Sequence, residues 1–155
     1  MIENLDIYNF KEDNQEDNSE IISDLKNSEQ KKINSKYFYD KKGSKLFDMI
    51  SELKEYYPTR TEIEIIENQK YSFKNNLPSN ASIIEFGSGS NKKIKKLLDA
   101  LDKPKEYISI DISYDFLILN AKEIAKKFPK INVKAICADL YQLESISKII
   151  KDNSQ

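Results

Sequence analysis

Three stretches of this sequence set glycine or acidic residues directly behind short apolar runs. They are Glu85-Phe86-Gly87-Ser88-Gly89-Ser90, Asp111 behind Tyr107 to Ile110, and Asp139 behind Val133 to Ala138. A Gly-Ser-Gly after a strand permits a tight turn and close backbone approach to a ligand, and Lys92 and Lys93 open the helix that follows. Asp111 lies 24 residues after Gly87, where an acid accepts hydrogen bonds from ribose hydroxyls. At Asp139, a carboxylate and the next backbone N–H are placed to read an adenine edge. Glu85, Asp111 and Asp139 together suit a nucleoside ligand of positive rather than negative charge. The dinucleotide fingerprint wants a third glycine where this chain has Lys92, which disfavours NAD. An acid behind a strand also serves as a helix cap, and Gly-Ser-Gly also serves as a plain turn. Their joint occurrence in register favours a nucleoside-type cofactor site.

Positioning these groups requires strands whose ends lie side by side. Ser82 to Phe86, Tyr107 to Ile112 and Val133 to Ala138 read as strands. Between them lie helices carrying Ile94, Leu97, Leu98 and Leu101, and then a helix capped by Ser113 and running to Phe128. The order βαβαβ predicts an α/β fold, an open sheet of three parallel strands with ligands beyond their carboxyl ends. Upstream, residues 19–33 read as a short helix. The aromatic cluster Lys36-Tyr37-Phe38-Tyr39-Asp40 is too dense for a solvated loop. Leu46, Phe47, Ile50 and Leu53 recur at helical spacing after Gly43, and that helix stops before Pro58. Thr59-x-x-Glu62 and Thr61-x-x-Glu64 read as capping boxes that start another helix near Thr61, with Ile63, Ile66 and Phe73 turned inward. A last helix covers about Leu140 to Lys151. Three segments result: an acidic disordered tail over 1–18, a helical segment over 19–81, and the sheet-bearing part over 82–155.

Composition narrows the chemistry. At 155 residues the chain holds one domain or a piece of one, and no apolar run approaches a membrane span. The acidic start lacks the features of a signal peptide, so the expected compartment is the cytoplasm, with no membrane partner. There is no histidine and a single cysteine, Cys137, which excludes His-based triads, thiolate metal cages and an internal disulfide. Residues 1–29 carry nine acids against Lys11 and Lys26. The basic balance elsewhere is nearly all lysine, with Arg60 the only arginine. Phosphate and base-edge readers lean on arginine forks, so solvated lysine faces are the better reading and no nucleic-acid partner is expected.

Larger blocks carry a resemblance. KYFYDKKGSKLFDMISELKEYYPTRTEIEII (36–66), IIEFGSGSNKKIKKLLDAL (83–101), YISIDIS (107–113) and ICADL (136–140) resemble the N-terminal half of the histidine-specific, S-adenosylmethionine-dependent methyltransferases. That family includes the histidine Nα-methyltransferases of ergothioneine biosynthesis. The resemblance implies a Rossmann-like class I methyltransferase fold, here incomplete, and S-adenosylmethionine as cofactor. It assigns Gly87 and Lys93 to the methionine end of the cofactor, Asp111 to the ribose, and Asp139 with Leu140 to the adenine. Tyr56 and Tyr39 match tyrosines that line the substrate pocket, with core packing as the alternative for both. Tyr37, Phe38 and Tyr57 are expected to pack, and Glu85 to brace the glycine turn. No residue is expected to act as a covalent or acid–base catalyst, since methyl transfer to a neutral amine needs mainly position and alignment.

Family members are much longer, so the expectation is a truncated or split enzyme acting on an amine or amino acid. A complementing C-terminal polypeptide would then supply the missing strands and acceptor contacts. The competing expectation is a non-catalytic remnant, or a cofactor-binding interaction module.

Overall fold

The computed structural model describes residues 2–10, 19–27, 29–139 and 143–151. The first element, β1 (Leu5–Asn9), is followed by α1 (Ser19–Lys26), α2 (Lys41–Glu52), α3 (Pro58–Asn68) and α4 (Lys70–Asn76). Then come β2 (Ser82–Phe86), α5 (Lys92–Ala100), β3 (Glu106–Asp111), α6 (Tyr114–Lys127), β4 (Asn132–Cys137) and α7 (Leu143–Lys151). The strands form one parallel sheet in the order β1-β4-β3-β2. Helices α5 and α6 cover the face that carries Tyr107, Val133, Ala135 and Cys137, while α7 sets Ile146 against Ile108, Ile110 and Ile136 on the other. Burial on both faces explains why β3 and β4 are nearly continuous apolar runs.

Lys134 departs from that rule. Its side chain is 4% exposed, and its Nζ lies 2.7 Å from Oε1 of Glu106, whose side chain is 9% exposed. The angle is too poor for a hydrogen bond, so the contact is a coulombic pair sealed inside the sheet.

The sheet has four strands where three were expected. Leu5–Asn9 is not a disordered tail but pairs with β4 from Leu5 opposite Val133 to Asn9 opposite Cys137. Residues 11–18, the most acidic part of that expected tail, lie outside the described residues. Two features hold β1 in place. Leu5 packs with the α5/α6 side of the core and Tyr8 with the α7 side. The Asn4 amide donates to the carbonyls of Ala125, Phe128 and Ile131 at 2.9 to 3.2 Å, which satisfies backbone oxygens around the C-terminus of α6. At the opposite edge no described strand pairs with the outer side of β2, and Ile84 and Phe86 are 40% and 54% exposed there.

The N-terminal helices differ from the sequence reading in several ways, α1 first, since it ends at Lys26 rather than near residue 33. Helix α2 presents Ser44, Asp48 and Ser51 to the domain, whereas Leu46, Met49, Ile50 and Leu53 face outward. Helical spacing located its apolar stripe but not the direction in which the stripe points. Helix α3 begins at Pro58, with proline in the first turn and no side-chain cap, so the two threonine boxes are not its start. The lone Arg60 closes the α2–α3 corner by donating to the carbonyls of Leu53 (2.8 Å) and Lys54. The 36–40 cluster forms a one-turn helix over Ser35–Phe38. Phe38 and Tyr57 are exposed rather than packed. Gly43 follows closely, and a Cβ there would sit 1.6 Å from the Phe38 carbonyl oxygen, so only glycine lets α2 start against that turn.

Candidate cofactor site

A cavity of about 520 Å³ opens at the carboxyl ends of β2, β3 and β4. Gly87 and Gly89 form its floor at the end of β2, both with left-handed backbone (φ +66° and +48°) that a side chain would strain. The turn is fastened from three sides. Gly87 N–H donates to the Ile110 carbonyl (2.8 Å), the Asn120 amide donates to the Gly89 carbonyl (2.6 Å), and Gly89 N–H donates to Asp111 (3.3 Å). Asn91 in turn binds the Asn120 carbonyl and Glu123, which anchors the start of α5 to α6.

Asp111 sits at the end of β3 and lines the cavity. One carboxylate oxygen accepts from Gly89 and the other from Ser113 N–H at 2.9 Å. A carboxylate has about four lone-pair sites, so each oxygen keeps one for a ligand hydroxyl. Asp139 lines the same cavity from the end of β4, half-buried. Lys93 lines it from the first turn of α5 and pairs with Glu62 of α3 at 3.0 Å. Tyr39 enters from the loop before α2. Gly87, Lys93, Asp111, Asp139 and Tyr39 are therefore brought together. Tyr56 is not on the cavity wall. Its ring meets Phe47 edge-on at 5.8 Å, and Phe47 meets Tyr39 at 6.5 Å, so the two expected tyrosines are joined through a phenylalanine. Leu140 lies outside the described residues.

Among the wall residues that escaped the sequence reading are Phe47 and Asp48 from α2, and Phe116 from α6. The helical periodicity that marked Phe47 as core concealed it, and Asp48 reads in sequence as one more solvated acid. Burial pushes the Asp48 carboxyl above its usual range, against the pull of nearby Lys92.

Glu85 does not brace the glycine turn. Its carboxylate accepts the Tyr107 hydroxyl at 2.7 Å on the α5 side of the sheet. Burial raises its pKa despite the lowering effects of that hydroxyl and of Lys93. The same burial, with Glu85 beside it, keeps the Tyr107 hydroxyl protonated.

A parallel sheet with a glycine turn after one strand and acids ending the next two defines a Rossmann-like α/β domain of the methyltransferase kind. The comparisons narrow the class. Residues 17–155 match the family described as histidine-specific, SAM-dependent methyltransferases, and the chain belongs to it. It is 34% identical over 112 residues to a histidine N-alpha-methyltransferase of Mycobacterium tuberculosis, covering 70% of this chain and 35% of that protein. To the protein of the same name from Mycolicibacterium smegmatis it is 35% identical, with the same coverage. An ergothioneine biosynthesis protein 1 of Neurospora crassa is 40% identical over 82 residues, 51% of this chain and 9% of that protein. The chain thus spans about a third of the length of the mycobacterial relatives it matches. Among the described residues no helix is long and apolar enough to cross a membrane.

Proposed function

We propose that this chain is the cofactor-holding part of an S-adenosylmethionine-dependent N-methyltransferase whose acceptor is an amino acid of the histidine type. The observation that carries the reading is the cavity wall, where Lys93, Asp111 and Asp139 face one space beside the Gly87 turn. The residues fit the group. The cavity is of ligand size, and its charged walls, Asp48, Asp111 and Asp139 against Lys93, suit a ligand of net positive charge. When bound, S-adenosylmethionine supplies an electrophilic methyl on a cationic sulfonium. In this reading Asp111 takes the ribose hydroxyls, Asp139 with Leu140 the adenine, and Lys93 the carboxylate of the methionine end. The edges and faces of Tyr39 and Phe47 exclude water from the reacting end and favour a cation. Tyr56 orients Tyr39 through Phe47 and reaches the acceptor from the rim. The protein's contribution is alignment, because an amine and a methyl held in near-attack geometry need no covalent relay.

Two features support further structure that completes the enzyme, whether more of this chain or a second polypeptide: among the described residues the outer edge of β2 is unpaired, and the apolar face of α2 points outward. A long unpaired edge on a core strand invites pairing. The reading entails a reducing, cofactor-containing compartment, the cytoplasm, and the single cysteine, Cys137, is a buried thiol that suits it. Calorimetric titration of S-adenosylmethionine and S-adenosylhomocysteine into the purified chain tests the cofactor half. Saturable binding of both is expected, and absence of binding to either would leave the remnant reading in its place. The chain alone is expected to methylate histidine no faster than a heat-killed control. Turnover well above that control would remove the need for any completing structure.

A further inference from the structure

Helix α2 crosses the mouth of the cavity between two fixed points. Near its start the Ser44 hydroxyl bonds Ser113, just beyond β3, at 3.3 Å. At its end Glu52 pairs with Lys92, at the start of α5. Asp48 lies midway, on the same inward stripe as Ser44 and Ser51, and lines the cavity with Lys93 and Asp111. Its carboxylate makes no hydrogen bond or ion pair among the described residues, although every other acid named on this wall has a partner. A half-buried carboxylate with no hydrogen bond or ion pair, subject only to the pull of Lys92 and turned toward a cavity by an otherwise polar stripe, is placed to receive a cation.

Resting on the cofactor reading above, we propose that Asp48 binds the α-ammonium of the cofactor's amino-acid end, opposite Lys93, which binds its α-carboxylate. A zwitterion needs both signs of charge within a few ångströms, and Lys93 supplies only one. Asp111 and Asp139 are fixed at the ends of β3 and β4, on the nucleoside side. Asp48 is the acid that α2 adds between Asp111 and the start of α5. The raised pKa of its carboxyl reflects desolvation that an arriving ammonium would offset.

The test compares two probes by calorimetry: S-adenosylhomocysteine, and 5′-methylthioadenosine, which keeps the nucleoside and thioether but lacks the amino acid. Asp48→Asn is expected to weaken S-adenosylhomocysteine about tenfold or more while leaving 5′-methylthioadenosine within about twofold, and Asp48→Glu to recover part of the loss. Equal loss for both probes, or no loss for S-adenosylhomocysteine, overturns the assignment. Should Asp48→Asn fail to fold, the parent decides with the deaminated analogue of S-adenosylhomocysteine, which must bind at least about tenfold more weakly than S-adenosylhomocysteine itself. A parent that binds 5′-methylthioadenosine as tightly as S-adenosylhomocysteine refutes the role of Asp48 and leaves the nucleoside site standing. A parent that binds neither probe refutes both.

Discussion

Replacing Asp111 by alanine removes two kinds of interaction at once. In the structure its oxygens accept the N–H groups of Gly89 and Ser113, so the substitution loosens the glycine turn and the entry to α6. Bonds to a charged acceptor contribute about 1.5 to 3 kcal/mol each when shielded. Asp111 is only half-buried and the Gly89 bond is long, so the pair together is expected to contribute about 2 kcal/mol. For a chain of this size that loss lowers the melting temperature by ~4 to 8 °C. The ligand loses its ribose contacts as well, and one charge-assisted bond of about 1.4 kcal/mol corresponds to a tenfold weaker Kd. Asp111→Ala should therefore melt earlier and bind S-adenosylhomocysteine at least about tenfold more weakly. Asp115→Ala is the control, because that carboxylate is exposed in the first turn of α6 and only meets Lys41 at 3.7 Å. Calorimetric titration and a thermal melt on the parent and both variants decide the matter. If Asp111→Ala keeps parental affinity, or Asp115→Ala loses as much, Asp111 does not hold the ribose.

Three further outcomes follow from the packing. Lys134→Ala leaves the Glu106 carboxylate buried without a counter-charge and is expected to cost about 3 to 5 kcal/mol in urea melts, whereas Lys134→Met with Glu106→Leu should be about as stable as the parent. If the double variant is as unstable as the single one, charge burial is not the cause. The raised pKa of Glu85 means that the folded state favours its protonated form. Its contribution is full below the unfolded value near 4.5 and lost as pH rises through the folded value. Glu85→Gln should accordingly gain stability relative to the parent as pH climbs from 4.5 toward neutrality. A difference that is flat over that interval would contradict it. Asn4→Ala removes the amide's donations to three carbonyls around the end of α6 and should destabilise by about 1 to 3 kcal/mol, read by denaturant titration. A loss under a few tenths would mean that water replaces the amide without cost.

The central β2–α5–β3–α6–β4 block was legible because its signals are local. Apolar runs of strand length end at Gly87, Asp111 and Asp139, and the structure keeps each strand within a residue or two of that reading. The cavity followed from the same strand ends. What escaped depends on distant partners. Leu-Asp-Ile-Tyr-Asn is too short and too interrupted by Asp6 to announce a strand, and it becomes one only when β4 offers an edge. The inward stripe of α2 escaped for a related reason. Periodicity divides a helix into an apolar and a polar face, but it does not say which of them its own domain will cover. Asp48 and Phe47 were hidden behind that ambiguity.

The pairing of β1 with β4 has a consequence for how the protein is made. Leu5–Asn9 leaves the ribosome long before the strand it joins, which ends at Cys137. Until then β1 has no template, and closing a loop of that span delays the contact further. That strand must therefore wait, unpaired, until β4 has been made, and the sheet grows from its middle outward rather than from β1. A slow translation pause before β4, or a bulky N-terminal fusion, would lengthen the interval in which Ile7 and Tyr8 are available to another chain, and yield of soluble protein should fall in step with it.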